Sequence, residues 1–231
     1  MALKDELSDE VAQILRDQWS TRDGRVVPEP DALGLGNDAV QLDVTILYAD
    51  MSGSTVLVDA HDPSFAAEVY KTYLACAARI VKGAGGRITA YDGDRIMAVF
   101  VGDTKNTTAA KTALKVNWAV RKIVNPAIQA QYGAAAYQMQ HSIGIDTSRI
   151  LVSRIGVRND NDLVWVGRAA NYAAKLSSLD AGYIYITDTV YAKLAKEARY
   201  GGDSKRLMWE KRIWNPMRGM TIYRSGWIWA P

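Results

Sequence analysis

The sequence predicts an α+β fold of the ferredoxin-like or palm kind, one βαββαβ unit with an N-terminal helix and a Trp-rich C-terminal extension. Three observations predict it. Short β-rich apolar runs alternate with helical stretches from residue 44 onward. Two of those runs are separated by an Asp-Gly pair, a preferred hairpin turn. The 231 residues suit one large domain with appendages and are too few for two.

Taken in order, residues 3–19 space Leu3, Leu7, Val11, Ile14, Leu15 and Trp19 three or four apart, the apolar face of a helix. Ser20 to Asp38 holds Pro28, Pro30, Gly24, Gly34 and Gly36 and reads as a linker. Helix and linker thus fill 1–40, and the globular body, 41–195, starts near Gln41. VTILYAD (44–50) is a buried strand. Residues 63–82 form a helix with Phe65, Val69, Tyr73, Ala77 and Ile80 on one face. GGRITAY and DRIMAVF are strands separated by Asp92-Gly93. A long helix covers about 105–131 and ends at Gly133. MQHSIGID and SRILVSRIG look like a second strand pair, GRAANYAAKLSSLD is an Ala-rich helix, and YIYIT is one more strand. Residues 196–231 extend the same domain.

Composition excludes several classes. Hydrophobic residues at 48% and charged residues at 23% rule out a disordered chain. A net charge of +3 is too mild for a nucleic-acid or acidic-membrane partner. Cys76 stands alone, so no internal disulfide forms, and His61 and His141 offer no zinc spacing. No apolar run approaches membrane-spanning length and the N-terminus lacks a signal-peptide pattern, so the expected address is cytoplasmic. The aromatic balance is skewed: seven Trp and twelve Tyr against two Phe, with Trp209, Trp214, Trp227 and Trp229 near the C-terminus.

Three segments carry candidate chemistry. In YADMSGST (48–55) a strand ends in Asp50 and enters a Ser/Gly/Thr turn. A strand-tip carboxylate can bind a cation, and the backbone of Ser52, Gly53, Ser54 and Thr55 can offer N–H groups to phosphate oxygens. The same residues equally suit a plain capped turn. In AYDGDRIMAVF (90–100), Asp94 opens the next strand. If this hairpin lies beside the first strand, Asp50 and Asp94 converge. Two carboxylates with a triphosphate make a two-metal site for attack of a hydroxyl on phosphorus. In VWVGRAANYAAKL (164–176), Asn171 and Lys175 share a helix face. There an amide can orient a ribose and a cation can offset charge growing on phosphate oxygens; solvated helix residues would look the same. Arg87, Arg154 and Arg168 are triphosphate partners or surface charges, while Cys76 and His141 read as structural.

Together, strand-Asp-Met-Ser-Gly-Ser-Thr, Gly-Asp before an apolar strand, and Gly-Arg-Ala-Ala-Asn with Lys four residues on resemble the class III nucleotidyl cyclase domain, the family of adenylyl and guanylyl cyclases, over residues 41–195. The resemblance implies a homodimer with active sites at the interface and two divalent ions, Mn or Mg. It implies that Asp50 and Asp94 bind the metals together with the Met51 carbonyl, and that Asn171 orients the ribose. Lys175 stands where the family usually has arginine, the transition-state stabiliser; the charge is kept and the planar fork is lost.

Base recognition departs from the family. Adenylyl cyclases carry Lys four residues before the second metal Asp and a carboxylate or Thr seven before the ribose Asn; here stand Ala90 and Val164. The guanylyl pattern fails at both places too. The neighbours Tyr91, Trp165 and Tyr48 are bulky, and Tyr48 shares a strand face with Asp50. A pocket filled by larger side chains suits a pyrimidine. With Arg95 directly after the metal Asp, the set resembles the pyrimidine cyclases of bacterial Pycsar antiphage systems. That implies cyclic UMP or cyclic CMP made after phage infection, with the effector linked only through the messenger. Uracil presents a C4 carbonyl that a donor such as Arg95 or Tyr91 can read, whereas cytosine calls for an acceptor. The reading favours UTP. A cytidylate cyclase, a purine cyclase with rewired contacts and a non-catalytic nucleotide-binding dimer are the alternatives.

Overall fold

Pairing of two long strands, Asp38–Ser52 and Gln140–Val157, sets the architecture of the protein, here a computed structural model describing residues 2–133, 137–157 and 159–231. The elements in order are α1 (Leu3–Arg16), β1 (Ser20–Asp23), β2 (Asp38–Ser52), α2 (Ser54–Ala60), α3 (Pro63–Gly83), β3 (Arg87–Asp92), β4 (Arg95–Phe100), α4 (Lys105–Ala119) and α5 (Asn125–Tyr132). There follow β5 (Gln140–Val157), β6 (Asp160–Val166), α6 (Arg168–Ser177), β7 (Ile184–Thr187), α7 (Asp188–Ala192), α8 (Lys196–Arg199), β8 (Tyr200–Gly201), β9 (Arg206–Leu207), β10 (Glu210–Trp214) and β11 (Met220–Ser225).

The main sheet runs β10-β11-β7-β5-β2-β4-β3, with β1 beside β2 and β6 beside β5. Its antiparallel centre, β5-β2-β4-β3, places the fourth, first, third and second strands of the βαββαβ unit side by side. The predicted ferredoxin-like α+β architecture is what the chain adopts. On one face the core joins Leu47, Ala49 and Met51 of β2 to Val69, Tyr73 and Ala77 of α3 and to Ala110 and Leu114 of α4. On the other face α6 lays Ala169, Ala170 and Ala173 over Val44, Ile46 and Val99. That cover stops short of the end of β2, where Tyr48 and Asp50 stay half-buried.

Local chemistry explains the boundaries. α3 starts at Pro63 because Asp62 caps it, accepting from the Ser64 N–H at 2.9 Å. α4 continues into α5 through one π turn, Val120–Val124. There the Asn125 side chain meets the Met139 backbone twice, at 3.0 and 2.9 Å, and fixes the approach to β5.

Four sequence expectations are corrected. The linker contains β1, which pairs in parallel with Asp38–Gln41; Gly24 lets the chain pass where a Cβ would sit 2.3 Å from Val40. MQHSIGID and SRILVSRIG are one 18-residue strand. The polar residues between them pack inward instead of turning: Asp146 is fully buried, accepts from Thr187 Oγ1 at 2.5 Å and pairs with Arg168 at 3.1 Å. The hairpin turn is Gly93-Asp94, with Gly93 at φ 59° and Asp92 paired to Arg95. The N-terminal helix ends at Arg16, and none of its residues is buried.

The C-terminal Trp residues all pack on their own domain. Trp209 is buried and donates to the Ala198 carbonyl at 2.7 Å. Trp214 meets Tyr172 of α6 edge-on, centroids 5.9 Å apart. Trp227 and Trp229 lie against the helical face, and the Trp229 N–H donates to the Leu114 carbonyl at 3.1 Å. Among the described residues no helix is long and apolar enough to cross a membrane.

Gly144 is where α6 and β5 touch backbone to backbone. A Cβ there would lie 2.1 Å from the Ala173 carbonyl oxygen and 2.5 Å from the Ser177 nitrogen. Gly144→Ala is expected to cost about 2 kcal/mol or more, the range for overpacking, as measured by urea unfolding.

Candidate active site

The period of two along β2 sends Tyr48 and Asp50 to the open face, and Ala49 and Met51 into the helix-covered core. Ladder pairing extends that alternation across the sheet. One row runs Asp92, Arg95, Asp50, Ser142; the next row on the same face runs Ala90, Met97, Tyr48, Gly144. Asp94 sits in the hairpin turn, and its carbonyl accepts from the Met51 N–H at 3.3 Å, which holds the turn against the end of β2.

The structure thus brings together Asp50, Met51, Asp94, Arg95 and Tyr48. Burial, and next the charge of Asp94, push the Asp50 carboxyl up to about 6, against the opposing pull of Arg95. Arg95 gives two hydrogen bonds to Asp92 Oδ2, at 3.2 and 2.6 Å, so much of its charge is already engaged. Its guanidinium lies 5.7 Å from the centre of the Tyr48 ring, and Tyr48 Oη lies 3.1 Å from Met97 Sδ. Opposite Asp50, the Ser142 hydroxyl is buried without a partner among the described residues.

Among the described residues no three His, Cys, Asp or Glu cluster as a closed metal cage. Two adjacent carboxylates with a strand-end carbonyl make an open, oxygen-only donor set, which fits a hard divalent cation that also takes phosphate and water oxygens. The excess negative charge that raises Asp50 is what such a cation would relieve. Beyond Ser52, Gly53 turns with φ 75° and α2 begins at Ser54 with no side-chain cap. The N–H groups of Ser54 and Thr55 therefore have no intrahelical acceptor.

Other candidate residues lie elsewhere. Tyr91 pairs with Ile96, a helix-face core residue, so it points to the side opposite Tyr48 and Asp50. The two-residue hairpin loop fixes this alternation of β3, so within its own chain Tyr91 does not share the face of Tyr48. Trp165 pairs with Val152 and packs on the cluster holding Val40 and Val152. Val40 is eight residues along β2 from Tyr48, roughly 26 Å, so Trp165 cannot crowd the same pocket as Tyr48 within one chain. Asn171 and Lys175 are exposed on α6, and among the described residues the Lys175 ammonium has one hydrogen-bond partner, Met217 Sδ at 3.9 Å. Among the described residues no hydrogen bond or ion pair joins either Asn171 or Lys175 to Asp50 or Asp94.

Arg154 donates to Asn161 and to the Leu33 carbonyl, Arg168 is held by Asp146, and Arg87 pairs with Glu29. Cys76 is half-buried, and burial pushes its thiol up, away from reactivity. Sequence reasoning missed Asp92 as the partner of Arg95, because placing the turn one residue early hid their pairing.

The family model for the adenylate and guanylate cyclase catalytic domain matches residues 39–211. The chain belongs to this cyclase family. A uridylate cyclase of Xanthomonas perforans is 50% identical over 230 residues, 99% of either chain. One from Burkholderia cepacia is 46% identical over 232 residues, the full length of both. The crystal structure of the guanylyl cyclase Cya2 superposes with a TM-score of 0.69 at 21% identity, over 83% of this chain and 95% of that one. The last is a likeness of fold. Family membership makes the chain a nucleotidyl cyclase.

The raised Asp50 carboxyl gives a pH test. Its folded value lies above its unfolded one, so this group favours the folded state at acid pH, and that contribution is lost as pH rises through about 6. Protons and a divalent cation compete for the same oxygens. Added Mn²⁺ should therefore raise the melting temperature clearly more at pH 7.5 than at pH 5. Equal shifts at the two pH values would remove Asp50 from the metal site.

Proposed function

We propose that the protein is a uridylate cyclase, converting UTP to 3′,5′-cyclic UMP and pyrophosphate. The observation that carries this reading is the full-length similarity to uridylate cyclases, in a chain whose Asp50 and Asp94 converge beside Tyr48. Ala90 stands where the family's adenine-reading lysine would be, on the row of Tyr48. The half-buried Tyr48 ring narrows this end of the face, and Arg95 offers remaining N–H donors for a uracil carbonyl.

Asp50 and Asp94, with the Met51 carbonyl, would hold two divalent ions, Mn or Mg. Such ions supply Lewis acidity that lowers the pKa of the ribose 3′-hydroxyl and offsets charge on the phosphates. The 3′-oxygen attacks the α-phosphorus in line, the bond to the β-phosphate oxygen breaks, and pyrophosphate leaves while the hydroxyl proton passes to solvent. Backbone N–H groups across Ser52, Gly53, Ser54 and Thr55 bind the outer phosphates. Asn171 orients the ribose and Lys175 neutralises the charge growing at phosphorus, both supplied by the partner of a homodimer; in their own chain both are exposed, and Lys175 is held at Met217 and not at Asp50. The catalytic unit is residues 41–195 with the extension 196–231 packed on it. Its setting is the bacterial cytoplasm, where cyclic UMP carries an antiphage signal to a separate effector.

Incubation with ATP, GTP, CTP and UTP singly, with Mn²⁺ and product identification by mass, is expected to give cyclic UMP. Cyclic AMP or GMP as the main product would overturn the pyrimidine reading. Cyclic CMP would move it to cytosine, and no product at all would favour a binding-only dimer.

Asp50→Asn should abolish turnover, and Lys175→Ala should lower it on the order of a hundredfold. Because the two residues act across the interface, an equal mixture of the two inactive variants should recover about a quarter of wild-type activity, one intact site in each mixed dimer. A mixture as inactive as its components would place both residues in one chain's site.

A further inference from the structure

Behind the catalytic end of β2, on the helix-covered face, three polar side chains form a buried chain. Tyr73 of α3, His141 of β5 and Asn117 of α4 are 0%, 2% and 1% exposed. Tyr73 Oη lies 3.4 Å from His141 Nδ1, and His141 Nε2 lies 3.2 Å from Asn117 Oδ1. Asn117 Nδ2 donates at 2.8 Å to the carbonyl of Trp227, in the segment that follows β11. Directions follow from the ends inward. A backbone carbonyl only accepts, so the Asn117 amide nitrogen faces Trp227 and its oxygen faces the histidine. His141 Nε2 is then the donor, and Nδ1 accepts from the Tyr73 hydroxyl. Burial pushes His141 down to about 3, so the ring is neutral, as this pattern requires.

The middle and both ends of the chain are anchored. His141 is the ladder partner of Met51, the residue after Asp50. The Tyr73 hydroxyl is raised by burial and then by the charges of Asp50 and Asp94, which act on it through the sheet. At the other end Trp227 is fitted closely: a Cβ on Gly201 would lie 2.9 Å from its ring, and Arg206 lies over it at 5.4 Å. An apolar set of the same volume would stabilise this core about as well. What the polar chain adds is direction: each hydrogen bond fixes one element against the next.

We propose that Tyr73, His141 and Asn117 are positioning residues that lock the C-terminal segment 226–231 to the Asp50–Met51 end of β2, so that the tail aligns the metal-binding carboxylates without touching substrate. The proposal rests on the reading of Asp50 and Asp94 as metal ligands.

The test uses Tyr73→Phe, which keeps the ring and removes only the hydroxyl, and a chain shortened to residue 226, singly and combined. Three quantities are read: Mn²⁺ affinity without nucleotide, kcat and KM for the triphosphate, and melting temperature. Each single change is expected to weaken Mn²⁺ binding and lower kcat by about fivefold, with KM within about twofold. Because both cut the same chain, the double variant should be no worse than the poorer single one. If the shortened chain does not fold, Asn117→Ala in the full-length protein takes its place. A Tyr73→Phe enzyme with wild-type Mn²⁺ affinity and kcat overturns the proposal whatever its melting temperature, and so do losses that multiply in the double variant. A wild type that binds Mn²⁺ but cyclises no nucleotide defeats the functional reading alone, since the Mn²⁺ measurements still decide this one.

Discussion

The structure depends first on the register of β2 against β5. These strands pair from Ala39 with Ser153 to Ser52 with Gln140. The side-chain period of a strand is two, so a slip of one residue would turn Asp50 into the helix-covered core and bring Ala49 to the open face. What holds the register is burial on both faces at once: Leu47, Ala49 and Met51 on one side, Val40, Leu42, Val44 and Ile46 on the other. Thr45 adds a polar lock, its hydroxyl 3.1 Å from both Asn106 Oδ1 and Thr147 Oγ1. A strand so committed in its middle can carry an unfavourable carboxylate at its tip.

That carboxylate is costly where it stands. Burial and the neighbouring Asp94 both oppose its ionisation, and the nearest cation, Arg95, is drawn off by Asp92. A fold optimised for stability alone would release Arg95 to Asp50. Holding it on Asp92 leaves a negative pair whose natural relief is a divalent ion brought with a triphosphate. The same tether keeps the guanidinium near Tyr48, so one side chain leaves the Asp50–Asp94 pair unneutralised and lines the face beside it.

Much of this was legible in the sequence because it rests on local chemistry. The α3 helix, the β3–β4 strands and the Ala-rich α6 follow from periodicity and composition, and the strand-Asp-Met-Ser-Gly-Ser-Thr segment marks the site. What was not legible depends on partners distant in sequence. Asp146-Thr147-Ser148 has turn composition, yet continues a strand because Thr187 and Arg168 satisfy Asp146 inside the fold. Tyr91 is only three residues from Asp94 in sequence, but a turn shifted by one residue puts it on the face opposite Asp50 in its own chain. Trp165 has the size to fill a pocket, and within its own chain it packs, partly buried, on the cluster of Val40 and Val152.

The surplus of Trp and Tyr consequently serves bracing more than base recognition. Of the bulky rings expected at the base, Tyr91 lies on the opposite face and Trp165 sits far along the strands on the face of Asp50, so Tyr48 alone stands beside Asp50 in its own chain. Trp214 packs under α6 against Tyr172, and so supports the helix that presents Asn171 and Lys175. Trp227 and Trp229 pack on α4, whose Asn117 reaches β5 at His141, the ladder partner of Met51. Phe would also put an apolar ring in these places, but it is smaller and offers no polar edge. The buried indole N–H of Trp209 is spent on the Ala198 carbonyl, so a ring can be sunk in the core while an otherwise unpaired backbone acceptor is satisfied. A short extension that must clamp both α4 and α6 gains more from such rings than from smaller apolar ones, because each covers a large area with few rotatable bonds.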